Sequence, residues 1–304
     1  MADPLTSTTG RGASRRSGRM AKPWLPWAYL APAIVFYGLF MLFPLGRAAQ
    51  YSFFEWDGLG ASTFVGFDNY VALVQDPQLR EAFGHALILI FFYAVLPLCI
   101  GLVLAAVLTR AQVRGLGFFR TVIFLPQVIA MVVVAVTWRQ IYAPDGPLNG
   151  FLRMVGLDSW TRPWLGDYTF TLPAVGLIGS WVSLGLVTVL LMAGMSRVPR
   201  ELYEAARIDG AGAFREFFAI TLPSVRGEIT VALTLTIVAA LKTFDLIYVT
   251  TSGGPGTSTT VPSYEVYRRA FQLGEVGAAT AVGIALTLIV FAINFVVNQI
   301  GDKK

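Results

Sequence analysis

Residues 201–223 read ELYEAARIDGAGAFREFFAITLP, a charged stretch between two long apolar segments. Only 13% of the 304 residues are charged, so this concentration of Glu, Asp and Arg is unusual for the chain. Charged side chains are costly inside a lipid bilayer. We therefore predict that the stretch is a solvent-facing loop between two membrane-spanning helices.

The remaining composition is that of a membrane protein. Apolar residues make up 55% of the chain and the mean hydropathy is +0.64, both above the values of soluble domains. A bilayer is crossed by about 20 consecutive apolar residues in a helix. We therefore predict an all-α integral membrane protein with six transmembrane helices, kinked where they contain Pro. The apolar runs are 25–46, 82–109, 121–138, 168–196, 228–249 and 276–301.

The basic residues predict how the chain is oriented. Most of the 23 Lys and Arg lie in the N-terminal tail, in alternate loops and at the C-terminus. Cytoplasmic loops carry such an excess, so both termini are predicted to face the cytoplasm. Residues 1–22 are predicted to be a disordered basic tail, and the first apolar run a retained anchor. The high pI, near 9.4, is explained by this topology and by lipid contact, and no nucleic-acid partner is expected.

The residues needed for catalysis or metal binding are scarce. The chain has one Cys, Cys99, and one His, His85, so no metal site is predicted. Neither a phosphate-binding G-x-x-x-x-G-K-[ST] loop nor a G-x-S-x-G nucleophile turn occurs in the sequence. We therefore expect a chain that is not an enzyme and that binds no cofactor itself.

The charged stretch also has the signals of two short helices. Pro199 suits a first helical turn, the acidic Glu201 and Glu204 suit its positive end, and Gly210 suits its termination. This predicts one helix over 199–209 and a second over 213–219. Periodicity alone leaves open an ordinary amphipathic loop that lies on the lipid surface.

The spacing of fixed residues in this stretch resembles a family signature. It reads E-A-A-x3-G-x9-I-x-L-P and resembles the EAA motif of ABC importer permeases. The resemblance implies a coupling helix that docks on a separate cytoplasmic ATPase, with Glu204 facing a basic partner residue. The matching positions are Glu204, Ala205, Ala206, Gly210, Ile220, Leu222 and Pro223.

Further segments resemble the carbohydrate branch of that family, which includes maltose, multiple-sugar and glycerol-3-phosphate permeases. The resemblance implies a type I ABC importer permease fold. It divides the chain into the tail (1–22), a first helix with an extracytoplasmic loop (23–81), and a five-helix core (82–300) with a cytoplasmic loop (197–227). The segments are 53–58, 64–70, 114–126, 199–211 and 244–256.

The resemblance also implies partners and a location. They are a dimer of ABC ATPase subunits that bind ATP and Mg, a second permease expected to be a different chain, and an extracytoplasmic substrate-binding protein. This chain would be a multi-pass protein of the prokaryotic cell membrane, surrounded by lipid, and would form half of the path for a sugar or oligosaccharide.

A few residues in the spans have the chemistry to contact such a substrate. Trp181 and Ser183 offer an aromatic face and a hydroxyl, although both also occur in ordinary helix packing. Lys242 and Asp245 lie three apart, so they are predicted to pair on one helix face, for structure or for substrate contact. Asn294 is a further candidate, or it bonds a neighbouring helix.

Two other functions remain open at this point. Within the family, glycerol-3-phosphate or another polyol is an alternative cargo, for which few Lys or Arg are available along the spans. From a different class, a secondary transporter or channel would work without an ATPase. Such a carrier needs ion sites at the midplane and usually an internal repeat, and the sequence shows neither.

Overall fold

The computed structural model describes residues 25–110 and 115–301. The predicted tail at 1–22 and the basic Arg114, Lys303 and Lys304 lie outside these residues. The described part is built from helices, in chain order α1 Leu25–Tyr37, α2 Phe43–Tyr51, α3 Asp68–Gln75, α4 Pro77–Ile90, α5 Leu96–Arg110, α6 Leu116–Val128, α7 Met131–Ile141, α8 Pro147–Met154, α9 Thr171–Met195, α10 Arg200–Ile208, α11 Ala213–Glu216, α12 Leu222–Ser224, α13 Arg226–Leu241, α14 Asp245–Thr250, α15 Pro262–Tyr267 and α16 Val276–Gly301.

The chain divides into two compact units, Met1–Arg47 and Ala48–Lys304. In the first, α1 continues through a π-helical turn (Gly38–Leu42) into α2. The second holds the remaining helices and a small hairpin of β1 (Phe54–Glu55) and β2 (Thr63–Phe64), antiparallel with Phe54 opposite Phe64. The boundaries of the predicted domains, 22/23 and 81/82, remain predictions.

Four of the six predicted spans are single long helices. They are Trp27–Tyr51, Pro77–Thr109, Thr171–Met195 and Val276–Gly301, each long and apolar enough to cross a bilayer. Continuous apolar runs with helical ends explain why the sequence located them. The second span begins five residues before the predicted start, because Asp76 caps α4 by accepting from the Gln78 N–H at 2.8 Å.

The other two predicted spans are bent. The third consists of α6 and α7, which meet at 96°, a much sharper bend than the kink predicted at Pro126. Ile129 and Ala130 both have extended backbone, which interrupts the helical hydrogen bonds just after Pro126. The predicted fifth span, 228–249, corresponds to α13 and α14, with a break between Leu241 and Asp245. The helical segment before it, Ala213–Ser224, meets α13 at 68°. Counting each bent pair as one span gives six.

Helix α9 is the centre of the bundle. In its most apolar window 67% of the residues are buried, against 17% in α16. Glycines allow neighbours to come this close, since a Cβ at Gly185 would lie 2.9 Å from the Phe124 Cα of α6. Ser180 adds a hydrogen bond to the Phe92 carbonyl at 2.5 Å. The helix beside the charged loop is therefore firmly held by the rest of the bundle.

The small hairpin packs on the first turn of α16. Its turn is closed by Asp57, whose Oδ1 accepts from the Leu59 and Gly60 N–H groups at 2.9 and 2.8 Å. These two bonds hold the pKa of the Asp57 carboxyl below its ordinary value. The Gly277 N–H donates to the Trp56 carbonyl at 3.1 Å, which ties the hairpin to α16.

Candidate functional site

The charged loop, residues 197–227, connects α9 to α13. Its first helix, α10, follows Pro199 and carries Glu201 in the first turn and Arg207 in the last, each with the sign that the helix dipole favours. The predicted helix over 199–209 is confirmed within one residue at each end. Local sequence was sufficient here because both ends are set by residues inside the loop.

Gly210 ends α10 in a left-handed conformation. Its φ is +78°, the Ala211 N–H donates to the Ala206 carbonyl at 2.8 Å, and the Gly210 N–H donates to the Arg207 carbonyl at 3.0 Å. This pair of bonds is a Schellman motif, in which a residue without Cβ is strongly favoured. The glycine of the motif thus fixes where the helix stops and the chain reverses.

The second helical part of the loop is longer than predicted. Helix α11 continues through a π-helical turn (Phe217–Thr221) into α12, so the helix runs over 213–224 and not 213–219. Leu222 and Pro223 therefore belong to the helix itself. The extension was missed because the helix continues through a π-helical turn, and residue propensities do not predict such turns.

Two polar contacts join the halves of the loop. Arg207 Nε donates to Glu216 Oε1 at 2.9 Å, and the Glu216 side chain is only 3% exposed. The hydroxyls of Tyr203 and Thr221 lie 3.1 Å apart. Neither contact was predicted from the sequence, although opposite charges on either side of the turn at Gly210 were a signal for the ion pair. They make the loop one folded body.

The loop also presents apolar side chains outward. Ile208 is 87% exposed and Phe214 is 79% exposed, and the Phe214 and Phe218 rings are 4.6 Å apart. Leu202 is half exposed as well. Exposed large apolar groups on a rigid loop indicate a protein-binding surface.

The signature residues are divided between this surface and the interior. Four of them, Glu204, Ala205, Gly210 and Pro223, are exposed, whereas Ala206, Ile220 and Leu222 are partly buried. The role of these seven residues in coupling remains a prediction.

Trp181 and Ser183 lie on different sides of α9. Trp181 is 39% exposed, and its ring meets the Trp138 ring edge-on at 5.6 Å. Ser183 is buried within the bundle. Trp181 is therefore accessible in this chain, while Ser183 is enclosed by it.

The predicted pairing of Lys242 and Asp245 on one helix face was wrong. Helix α13 ends at Leu241 and α14 begins at Asp245, so the two residues lie on either side of a helix break. Both are exposed, and no ion pair among the described residues joins them. The predicted pairing required one continuous helix through both residues, and the helix is interrupted between them.

Asn294 bonds its own helix. Its Nδ2 donates to the Val290 carbonyl at 2.8 Å, and the Asn298 amide donates to the Asn294 carbonyl at 2.9 Å. The alternative of a bond to a neighbouring helix was wrong, while its Oδ1 is buried without a partner among the described residues.

At the opposite end of the bundle, the segment 253–275 is fastened along one face of α4. Thr257 donates to Glu81 at 3.2 Å, and His85 Nδ1 lies 2.9 Å from the Thr260 carbonyl oxygen. Further along, Arg268 Nη2 donates to the Gln78 side chain at 3.3 Å. The three partners on α4 are one or two helical turns apart, so the polar contact is continuous along the helix. It was not predicted, because it joins residues that are far apart in the sequence.

A buried ion cluster completes this contact. Glu265, 2% exposed, accepts two bonds of 2.9 Å from Arg268, which raise the pKa of that guanidinium. Arg269 lies 2.5 Å from Asp76 and 3.1 Å from Glu275. The cluster joins the cap of α4 to the segment before α16. Within residues 25–110 and 115–301, no three His, Cys, Asp or Glu side chains are placed to hold a metal ion.

Comparison with known proteins identifies relatives along most of the chain. A family model described as "Binding-protein-dependent transport system inner membrane component" matches residues 98–303. A probable ABC transporter permease protein, YurN of Bacillus subtilis, is 38% identical over 89% of this chain and 93% of its own length. The diacetylchitobiose uptake system permease NgcF of Streptomyces coelicolor is 36% identical over 90% of this chain and 82% of its own length.

One further relative and one solved structure have names that state what they transport or bind. The sn-glycerol-3-phosphate transport system permease UgpA of Escherichia coli is 33% identical over 92% of this chain and 95% of its own length. A bacterial alginate ABC transporter, solved in complex with an alginate pentasaccharide-bound periplasmic protein, contains a chain with a TM-score of 0.77 at 26% identity. The match covers 92% of this chain and 94% of that one.

Proposed function

Because this chain belongs to the family of binding-protein-dependent transport system inner membrane components, we propose that it forms half of the membrane path of an ATP-driven importer for a sugar or oligosaccharide. The cargo is supported by relatives named for diacetylchitobiose and alginate. As a permease subunit the chain is the non-catalytic part of such a machine. ATP and Mg would bind to a separate ATPase.

The observation that carries the proposal is the construction of the charged loop. It is a rigid body with exposed Leu202, Ile208 and Phe214 on its outer face, fastened internally by the Arg207–Glu216 pair. A rigid loop can pass a displacement at its surface to the helices at its ends. We infer that an ATPase subunit docks on this surface and that its closure moves α9 and α13, which switches the path between inward-facing and outward-facing states.

The other partners and the orientation are part of the same proposal. The loop and both termini would face the cytoplasm, as the basic residues predict. The segment 253–275 would then face outward, toward a substrate-binding protein, for which a periplasmic protein in complex with the alginate transporter is a precedent. A second permease would complete the path.

The path itself is proposed to run past the helix break between α13 and α14. Non-helical backbone at membrane depth occurs where it lines a cavity or is covered by protein. The exposed Lys242 and Asp245 at this break, with Trp181 on α9, offer charged and aromatic contacts to a sugar. Ser183 and Asn294 are the remaining candidates for this path.

A mutation in the signature tests the coupling role. We predict that Glu204→Lys leaves the complex assembled in the membrane but abolishes the stimulation of ATP hydrolysis by the loaded binding protein in reconstituted vesicles. The reason is that a lysine at this exposed position would face the basic residue predicted in the ATPase. Asp158→Asn, an exposed carboxylate at the other end of the bundle, is the control. Undiminished stimulation in Glu204→Lys would refute the coupling role.

Glycerol-3-phosphate is the second candidate cargo, favoured by the similarity to UgpA. Lys242 is exposed at the helix break and could contact a phosphate. Uptake of labelled glycerol-3-phosphate and of labelled diacetylchitobiose by the same vesicles separates the two cargos. Uptake of the phosphate ester alone would exclude the sugar proposal.

A further inference from the structure

A groove of about 570 Å³ lies between the end of the bundle and the charged loop. Its walls come from the ends of α5 and α9, the start of α6 and one face of α10. Arg200, Tyr203, Glu204 and Arg207 recur at helical spacing, so they form a single face of α10. The apolar Leu202 and Ala205 lie on the opposite face. The helix therefore borders the groove on one side and presents Leu202 on the other. The exposed Glu204 lies at the edge of the groove face, next to Ile208 of the proposed docking surface.

The groove contains arginines that lack an acidic partner. Arg120 of α6 and Arg200 of α10 both line it, and neither takes part in an ion pair among the described residues. Arg207 also lines it but is paired with Glu216 at 2.9 Å. Apart from that pair, the groove is lined by two arginines and one carboxylate, that of Glu204, so positive charge is in excess.

Hydroxyl groups add hydrogen-bonding capacity. Thr109, Ser196 and Tyr203 line the groove, and the Thr109 Oγ1 is buried without a hydrogen-bond partner among the described residues. A buried hydroxyl without a partner costs free energy unless a ligand or water satisfies it. The volume is within the range of small-ligand sites, about 300–1,000 Å³.

We propose that this groove binds a phosphate group, carried by the headgroup of an anionic phospholipid or by a soluble phosphate compound. Arginine forks match phosphate oxygens in geometry and charge. A singly charged phosphodiester held by Arg120 and Arg200 would offset the excess positive charge, and the unpartnered Thr109 hydroxyl would donate to it. The groove lies where α5 and α9 end, which is the depth of lipid headgroups, and basic pockets between helices on the cytoplasmic side bind such lipids.

A ligand bound in the groove would affect how the charged loop moves during the proposed coupling step. A phosphate held by Arg120 and Arg200 would link α6 to α10 and restrict how far the charged loop can move. The ligand would thus alter the response of the ATPase to this chain without touching the transported substrate. This consequence rests on the proposed function, whereas binding itself does not.

Binding is tested on the full-length chain, purified with the subunits that accompany it. It is placed in phosphatidylcholine nanodiscs containing graded amounts of phosphatidylglycerol, and the anionic lipid retained per chain is measured by native mass spectrometry. We expect Arg120→Gln and Arg200→Gln each to weaken retention about fivefold, the contribution of one arginine near an anionic surface, and together about 25-fold. Arg215→Gln, an exposed arginine of the same loop that does not line the groove, should leave retention unchanged.

A second arm identifies the source of the phosphate. Millimolar inorganic phosphate is added to the same proteins in phosphatidylcholine, and the thermal midpoint is recorded. Stabilisation of the wild-type protein that is lost in Arg120→Gln/Arg200→Gln, with equal lipid retention in both, would assign the groove to a soluble phosphate. Equal lipid retention together with equal phosphate response in both proteins would overturn the proposal. Stimulated ATP hydrolysis of Arg120→Gln in pure phosphatidylcholine separately reports whether the importer function is intact.

Discussion

At the scale of single residues, Gly210 shows how one backbone conformation shapes the charged loop. Its φ of +78° allows both hydrogen bonds that end α10, and no side-chain contact is required at this position. A residue with a Cβ pays for this conformation through a clash with its own carbonyl. The identity of the residue is thus set by the turn.

We predict that Gly210→Ala destabilises the loop by about 1–2 kcal/mol, the cost of the left-handed conformation for a residue with Cβ. Stimulated ATP hydrolysis should fall, because the end of α10 loses its fixed position. Gly212→Ala is the matched control, since Gly212 has a φ of −77° and open space where a Cβ would point. Equal thermal midpoints and equal stimulation in the two variants would contradict this explanation.

A second prediction concerns the ion pair inside the loop. Arg207→Gln removes the charged partner of the buried Glu216 carboxylate, so we expect a loss of about 1–3 kcal/mol. The double variant Arg207→Gln/Glu216→Gln should recover part of this loss, because no charge is then left buried. Thermal midpoints of the two single variants and the double variant form the cycle. Simple additivity would show that the two side chains do not interact.

At the scale of elements, the sequence predicted the helices whose extent depends on residues within or next to them. The four continuous spans follow from apolar runs, and α10 follows from Pro199 and Gly210 at its ends. The bend after Val128 follows the predicted kink at Pro126 but is sharper than a kink. The break after Leu241 was missed, because Lys242 and Asp245 lie in helical spacing and the sequence there contains no Pro or Gly.

The contact between α4 and the segment 253–275 is the clearest such case. Its ion cluster joins Asp76 to residues almost 200 positions later, so sequence spacing gives no signal for it. The cluster buries Glu265 between two arginines and holds the segment against the end of α4. The segment thus forms a fixed platform at this end of the bundle, which is where the proposed substrate-binding protein would dock.

We predict that Arg269→Gln destabilises this platform by about 3 kcal/mol, because the buried Glu265 and the partly buried Asp76 both lose a cation. Chymotryptic cleavage within 264–271 should become faster as the segment detaches. Arg153→Gln removes an exposed ion pair of 3.9 Å and should change stability by less than about 1 kcal/mol. Equal cleavage rates in the two variants would argue against a structural role for the cluster.

At the scale of the whole molecule, the long helices of the second unit differ widely in how much of their surface is buried. Helix α16 is only 17% buried in its apolar window, and the Pro77–Thr109 span only 28%, whereas α9 is 67% buried. Outward apolar faces of this extent suit lipid and a second permease. The charged loop and the 253–275 segment then lie at opposite ends of the bundle, where an ATPase and a binding protein would contact them.

The measurement that tests this account most directly is the composition of the complex that the chain forms. The tagged chain is extracted from its native membrane in mild detergent, and the proteins that accompany it are identified by mass spectrometry. The account predicts an ATPase with a phosphate-binding loop, a second permease and an extracytoplasmic substrate-binding protein. Recovery of the chain alone, under conditions that preserve other membrane complexes, would contradict it and would favour a transporter that works without an ATPase.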